Sequence, residues 1–221
     1  MDGEAEDFHA RDVRETYETI AEHFSETRAH PWPEVEEFVA DAPPVGLGLD
    51  LGCGNGRHAA VLQERADVVL GVDASRNLLQ AARDRLNGEW SRLIQGDAGR
   101  LPLRADSVGL AVYVATLHHL PGRDLRRQSL NELARVLGSD GRALVSAWST
   151  IHDRFDADAD AEVGFDTTID WTLPDESVVP RFYHIYAPQE FEADLVASDL
   201  RVEGVRVSSG NCYAEVRGRP E

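Results

Sequence analysis

Apolar residues recur at three- and four-residue spacing near the start of the chain, at Val13, Tyr17, Ile20, Ala21 and Phe24. That spacing predicts an amphipathic helix. The segment AHPWP (29–33) interrupts it, and prolines at a helix entrance predict a second helix running to about residue 40. From Val45 the pattern changes to short apolar runs at 46–51, 66–73, 92–97, 108–115 and 142–148, separated by helix-period segments near 57–65, 75–87 and 123–137. Strands alternating with helices predict an α/β fold, a doubly wound and mostly parallel sheet covered on both faces. A turn at LGSDG (137–141) is expected before the fifth strand, with Gly141 where the chain reverses. Residues 151–170 are acidic and poor in apolar residues, and read as a loop or flap extending toward 180. A helix near 187–198 and two strands at 201–208 and 211–217 then complete a seven-stranded sheet. The whole chain, 1–221, reads as one domain with an N-terminal helical lid at 10–41.

Composition narrows the solvent and the location. No lysine occurs, so all 22 basic residues are arginines, set against 40 Asp and Glu for a net charge of −18. The acids are dispersed rather than gathered in a tail. This reads as adaptation to molar salt, of the halophilic archaeal type, where the Debye length is about 3 Å. An acidic total in such a solvent does not exclude a nucleic-acid partner. No apolar run approaches the ~18 residues of a bilayer span, no signal segment is evident, and a soluble cytoplasmic protein without membrane association is expected. Cys53 and Cys212, the only cysteines, form neither a disulfide framework nor a metal site, so no metal is expected.

The candidate chemistry begins at LDLGCGNG (49–56), where Asp50, Gly52, Gly54 and Gly56 follow a D-x-G-x-G-x-G spacing at the end of the first strand. A dinucleotide fingerprint would need glycine at Arg57, and a phosphate-binding Walker loop needs a lysine. Asp73 ends the second strand and Asp97 the third. These acids would repel a pyrophosphate and favour a cationic nucleoside. The expected cofactor is S-adenosylmethionine, with Asp73 accepting from the ribose hydroxyls, Asp97 from the adenine amine, the Ala98 amide donating to a ring nitrogen, and Gly52 and Gly54 serving the amino-acid end, on which Asp50 would act through water or the loop backbone. After the fourth strand the chain reads VATLHHLPG (114–122), without the Asn/Asp-Pro-Pro-aromatic segment of amine methylation. His118 is expected to face the sulfonium while His119 packs.

Four segments taken together, YETIAEHFSETRAHPWPEVEEF (17–38), GLDLGCGNGR (48–57), LHHLPGRDLRR (117–127) and RFYHIY (181–186), resemble the tRNA wobble-uridine carboxymethyl methyltransferases. The resemblance implies a class I, Rossmann-like methyltransferase that esterifies 5-carboxymethyluridine in the tRNA anticodon. It also implies a small zinc-binding activator subunit, which would add to the sheet edge at 90–95. Methylating an ionised carboxylate needs donors to hold an anion, not a base. Arg28, His118, Arg181 and His184 are the donors in these segments. Tyr17 (on the cofactor side), Trp32 and Tyr183 would wall the pocket or stack on the uracil. If RFYHIY is a strand, Phe182, His184 and Tyr186 share one face, and Arg181, Tyr183 and Ile185 the other. A small-molecule O- or C-methyltransferase of the same core is the alternative.

Overall fold

The strand Val45–Leu51 (β1) lies at the middle of the sheet, and its residues from Gly48 onward are buried. It pairs in parallel with Ala66–Asp73 (β2) on one side and Val108–Tyr113 (β4) on the other. The strand Ser91–Gln95 (β3) pairs with β2, and Leu137–Trp148 (β5) with β4, again in parallel. Asn211–Arg217 (β9) runs antiparallel between β5 and Arg201–Ser208 (β8). The seven-stranded order is β3-β2-β1-β4-β5-β9-β8. The chain leaves β1 in opposite directions toward β2 and toward β4, which opens a crevice at the carboxyl ends of those two central strands. This computed structural model describes residues 8–86, 88–155, 157 and 161–219.

Helices cover both faces, as the strand–helix alternation requires. Pro33–Ala40 (α2), the short Ala59–Leu62 (α3) and Arg76–Arg85 (α4) bury Val35, Phe38, Leu62 and Ala82 against one face. Arg123–Val136 (α5) and Pro188–Val196 (α6) bury Leu130, Leu133, Phe191 and Leu195 against the other. The first helix, Ala10–Thr27 (α1), buries only Ile20 and Ala21 and lies over the crevice.

Three expectations need correcting. The turn expected at LGSDG is absorbed into β5, whose pairing with β4 shifts register between Val108 and Leu110. The segment expected to be helical at 57–65 is helical only over α3. The acidic stretch expected to be a flap contains the strand Phe165–Thr172 (β6), paired antiparallel with Val178–Ile185 (β7) as a separate two-stranded sheet. Its charges mask a period of two, because Ile169 and Trp171 are buried while Asp166 and Asp170 face outward. Residues 156 and 158–160 of that expected flap lie outside the described residues.

The β6–β7 hairpin is fixed to the main body by an ionic clamp. His184 Nδ1 lies 2.6 Å from Asp166 Oδ1 of β6, and its Nε2 lies 3.1 Å from Glu190 Oε2 of α6. Glu190 Oε2 also accepts from the Gly164 amide at 2.7 Å. Burial opposes a charge on this ring, but the two carboxylate partners outweigh it and raise its pKa above the ordinary histidine value. Such a group contributes its full stability below the unfolded-state pKa, near ~6.5, and loses it as pH rises through the higher folded value. His184→Gln should therefore lower the melting temperature more at pH 6 than at pH 9, by the equivalent of about 1–3 kcal/mol at the lower pH. Parallel melts of the two proteins at the two pH values check this, and equal losses at both would reject an imidazolium clamp.

Candidate active site

The crevice is a cavity of about 1040 Å³ lined from the ends of β1, β2, β4 and β5, from α1, and from the β7 strand. Its floor is the glycine loop. Gly52, Gly54 and Gly56 have φ of +73°, +51° and +77°, a region that L side chains rarely adopt. A Cβ on Gly52 would also fall 2.2 Å from Thr116 Oγ1, which lies on the loop after β4. Backbone, not side chain, is therefore presented to a ligand here.

Asp73 holds the loop in place. Its two carboxylate oxygens accept from the amides of Gly54 and Ser75, each at 2.8 Å. Burial raises its pKa to about 6 against the lowering effect of those hydrogen bonds. Ser75 caps α4, and Glu18 of α1 reaches across to accept from the Arg76 and Asn77 amides at 2.8 Å. Asn55 Nδ2 donates to Arg28 O at 2.9 Å and Ser25 O at 3.3 Å. The lid helix is thus tied to the α4 N-terminus in its middle and to the glycine loop at its end.

Gly52, Gly54, Asp73, Asp97, Ala98 and Tyr17 all line the cavity. Asp97 Oδ1 accepts from the Gly99 amide at 2.7 Å, which shapes the turn after β3. Asp50 differs from these. It is 1% exposed, lies behind the loop against the Ala59 amide, and does not line the cavity. Burial raises its pKa to about 7, with the neighbouring charge of Asp73 adding to the effect.

The opposite wall carries nitrogen donors. The Trp148 amide donates to His118 Nδ1 at 2.8 Å, which puts the proton of the neutral ring on Nε2. Burial, helped by the neighbouring positive charges of Arg181 and His184, pushes its pKa well below the usual value, so His118 is a neutral N–H donor. His119 Nδ1 lies 2.9 Å from Phe182 O, a group that only accepts. Its Nε2 must then accept from the Tyr17 hydroxyl at 2.7 Å. Burial holds this ring neutral as well, with a pKa of about 3. His119 was expected only to pack; it lines the cavity beside His118 and ties the lid to β7.

Arg181 and Tyr183 project into the cavity from β7, while His184 on the opposite face does not. The candidate role of His184 as a donor to substrate is therefore withdrawn, since both its ring nitrogens are used in the clamp to α6. The Arg181 side chain is only 8% exposed, with its guanidinium carbon 4.7 Å from the Trp171 ring centroid and 5.1 Å from that of Tyr183. Its Nε has no hydrogen-bond partner, and among the described residues no carboxylate comes within 4.0 Å. Arg28 rests on the same indole at 5.2 Å, and Trp171 Nε1 donates to His23 Nδ1 at 3.1 Å. Trp32 lines the cavity while packing edge-on to His58 and Tyr213.

Sequence reasoning missed Trp171, Trp148, Thr116 and Arg57. Trp171 was detectable from the alternation in β6, and Arg57 from its place directly after the glycine loop. The remaining two carry no local sequence signal. One end of the cavity thus offers backbone amides and carboxylates suited to a ribose and an adenine amine. The other offers two guanidiniums and an N–H, suited to an anion.

The strand order, the glycine loop at the end of β1 and the acids after β2 and β3 together define the class I, Rossmann-like methyltransferase architecture. A methyltransferase domain model matches residues 49–145. The DhpI–SAH complex superposes with a TM-score of 0.72 at 20% identity, covering 96% of this chain and 97% of that one. A complex of the Haloferax volcanii Trm112 methyltransferase activator with a methyltransferase gives 0.71 at 14% identity, with 95% and 98% coverage. At these identities the likeness is one of fold. In sequence the chain is similar to a narrower group, the tRNA (carboxymethyluridine(34)-5-O)-methyltransferases. The Mus musculus protein of that name, ALKBH8, is 34% identical over 146 residues, 66% of this chain and 21% of that protein. The Saccharomyces cerevisiae protein is 30% identical over 170 residues, 76% of this chain and 59% of that one. The chain therefore spans about a fifth of the first relative and less than two thirds of the second.

Proposed function

We propose that this chain uses S-adenosylmethionine to esterify the carboxylate of 5-carboxymethyluridine at the tRNA wobble position, giving the methyl ester. The observation that carries this reading is Arg181, a buried guanidinium on the cavity wall with no carboxylate partner among the described residues. A buried cation without a counter-ion is costly, and an anionic ligand would repay that cost through charge-assisted hydrogen bonds. The similarity to relatives named for this reaction supports the same anion.

The residues fit the cofactor. Asp73 would take the ribose diol, Asp97 and the Ala98 amide the adenine, and the Gly52–Gly54 backbone the amino-acid end. When bound, S-adenosylmethionine supplies a methyl group on a positively charged sulfur. No residue here needs to remove a proton, because the acceptor carboxylate, with a pKa near ~4, is ionised at neutral pH. The work of the protein is to hold one carboxylate oxygen toward the methyl and to exclude water. Arg181 and Arg28 would fix the carboxylate, His118 Nε2–H would donate to it, and Tyr183 with Trp32 would flank the base.

A small zinc-binding activator of the Trm112 kind is the proposed partner, and its support is the likeness of fold to the complex that holds the Haloferax volcanii Trm112 activator. The outermost strand β3, with partly buried Leu93 and Ile94 and with Trp90 directly before it, is the proposed contact, since an open strand edge is otherwise an aggregation hazard. A cytoplasmic location accords with the tRNA substrate. Among the described residues no helix is long and apolar enough to cross a membrane.

A methyl ester can be told apart chemically from other methylations. Labelled methyl transferred to tRNA bearing carboxymethyluridine should be released as volatile methanol in mild base. A base-stable label would refute esterification.

A further inference from the structure

Arg181 and Arg28 share the Trp171 ring, and Arg28 also lies 5.9 Å from the Phe24 ring centroid. The positive charge does not stop there. Arg57, directly after the glycine loop, lines the cavity and places its guanidinium 5.4 Å from the Trp32 ring centroid. Arg85, exposed at the end of α4, is fixed beside it by a 2.8 Å hydrogen bond to Ala29 O in the linker between α1 and α2. Burial lowers the pKa of Arg57 to about 10; the nearby charge of Arg28 adds to this, the buried carboxyl of Asp50 opposes it, and the charge of Arg85 adds a smaller lowering.

None of these four arginines has a carboxylate within 4.0 Å among the described residues, although the chain holds 40 acids to 22 arginines. Some arginines elsewhere pair with those acids, Arg123 and Arg127 with Asp194, Arg135 with Glu132, and Arg217 with Glu203, while others such as Arg65 and Arg92 also stand without a carboxylate among the described residues. What sets these four apart is that they succeed one another from the cavity wall outward, and that Arg181, Arg28 and Arg57 rest on aromatic rings. The result is a positive strip from a buried wall to the surface, interleaved with aromatic rings. Single-stranded nucleic acids are held by this combination of guanidinium charge and stacking faces.

We propose that this strip is the path of the RNA backbone, with Arg57 and Arg85 contacting phosphates of the nucleotides next to the one whose base enters the cavity. The proposal deepens the function given above and rests on it for which end of the strip takes the modified base. A phosphodiester differs from the esterified carboxylate in being present at every nucleotide, so its contacts can be measured without methyl transfer.

The test uses the full chain with an anticodon stem-loop that lacks the carboxymethyl group, and follows RNA affinity by fluorescence anisotropy across a salt series. Arg85→Glu should weaken binding about tenfold at the lowest salt. It should also reduce the slope of log affinity against log salt by about 0.7–1, the loss of one phosphate contact. Cofactor affinity should stay unchanged, which also shows that the variant is folded. Arg206→Glu on the far edge strand β8 should leave both RNA quantities as they are. Unchanged affinity and slope in Arg85→Glu would overturn the strip and leave the ester chemistry untouched. An equal loss in Arg206→Glu would also overturn it, by showing only a general charge effect. RNA binding that follows the prediction while no carboxymethyl RNA is methylated would instead count against the ester reading and leave the strip standing.

Discussion

Arg181→Ala is expected to lower kcat/KM for carboxymethyl tRNA roughly 10²–10³-fold, while changing cofactor affinity less than about threefold. The size follows from the loss of one charged donor in a site that excludes water. The selectivity follows from position, since Arg181 sits on the wall opposite the glycine loop, held on Trp171 and Tyr183. Arg181→Lys should recover only part of the loss, because an ammonium cannot reproduce the planar, two-pronged approach of a guanidinium to a carboxylate. A loss of cofactor affinity equal to the loss of turnover would assign Arg181 to the cofactor carboxylate. Near-normal turnover would remove it from the site. Steady-state kinetics paired with calorimetric cofactor titration separate these outcomes.

Asp73→Ala is expected to weaken cofactor binding roughly 10²-fold, the effect of losing two or so charge-assisted hydrogen bonds. The carboxylate would bind the ribose and already fixes the loop through the Gly54 and Ser75 amides. Because burial sets its pKa at about 6, its protonation falls within reach of ordinary buffers. Hydroxyl donors favour the ionised form, so cofactor affinity should decline as pH drops through 6 and level off above it. Asp73→Asn should bind weakly with that decline removed. In the unliganded protein the sign is opposite. The carboxyls of Asp73 and Asp50, raised to about 6 and about 7, favour the folded state at low pH, and that contribution falls as pH rises through those values.

Much of this fold is written in local patterns. The five parallel strands follow from apolar runs that must be buried on both faces. The glycine loop is recognisable because three left-handed positions need glycine, and Asp73 because it ends the strand beside that loop. The hairpin β6–β7 was less legible. Asp166 and Asp170 lower its mean hydropathy, although Ile169 and Trp171 alternate with them as a half-buried strand requires. The same two-residue period in RFYHIY separates Arg181 and Tyr183 from His184, yet likeness of sequence alone had placed His184 with the donors. Its partners Asp166 and Glu190 lie 18 residues before it and 6 after, and only the fold shows that they occupy both ring nitrogens. Trp171 could not have been connected to Arg28, 143 positions away, from either segment alone. Asp50 shows the converse, a motif position that stands behind the loop it belongs to instead of in the cavity.

The most direct measurement is nucleoside mass spectrometry of tRNA bearing 5-carboxymethyluridine after incubation with the protein and S-adenosylmethionine, with the activator subunit present in a parallel reaction. The account predicts that the free acid is converted to its methyl ester and that the Arg181→Ala protein leaves the acid unchanged. Recovery of the acid intact from both wild-type reactions, under conditions where the cofactor is bound, would contradict it.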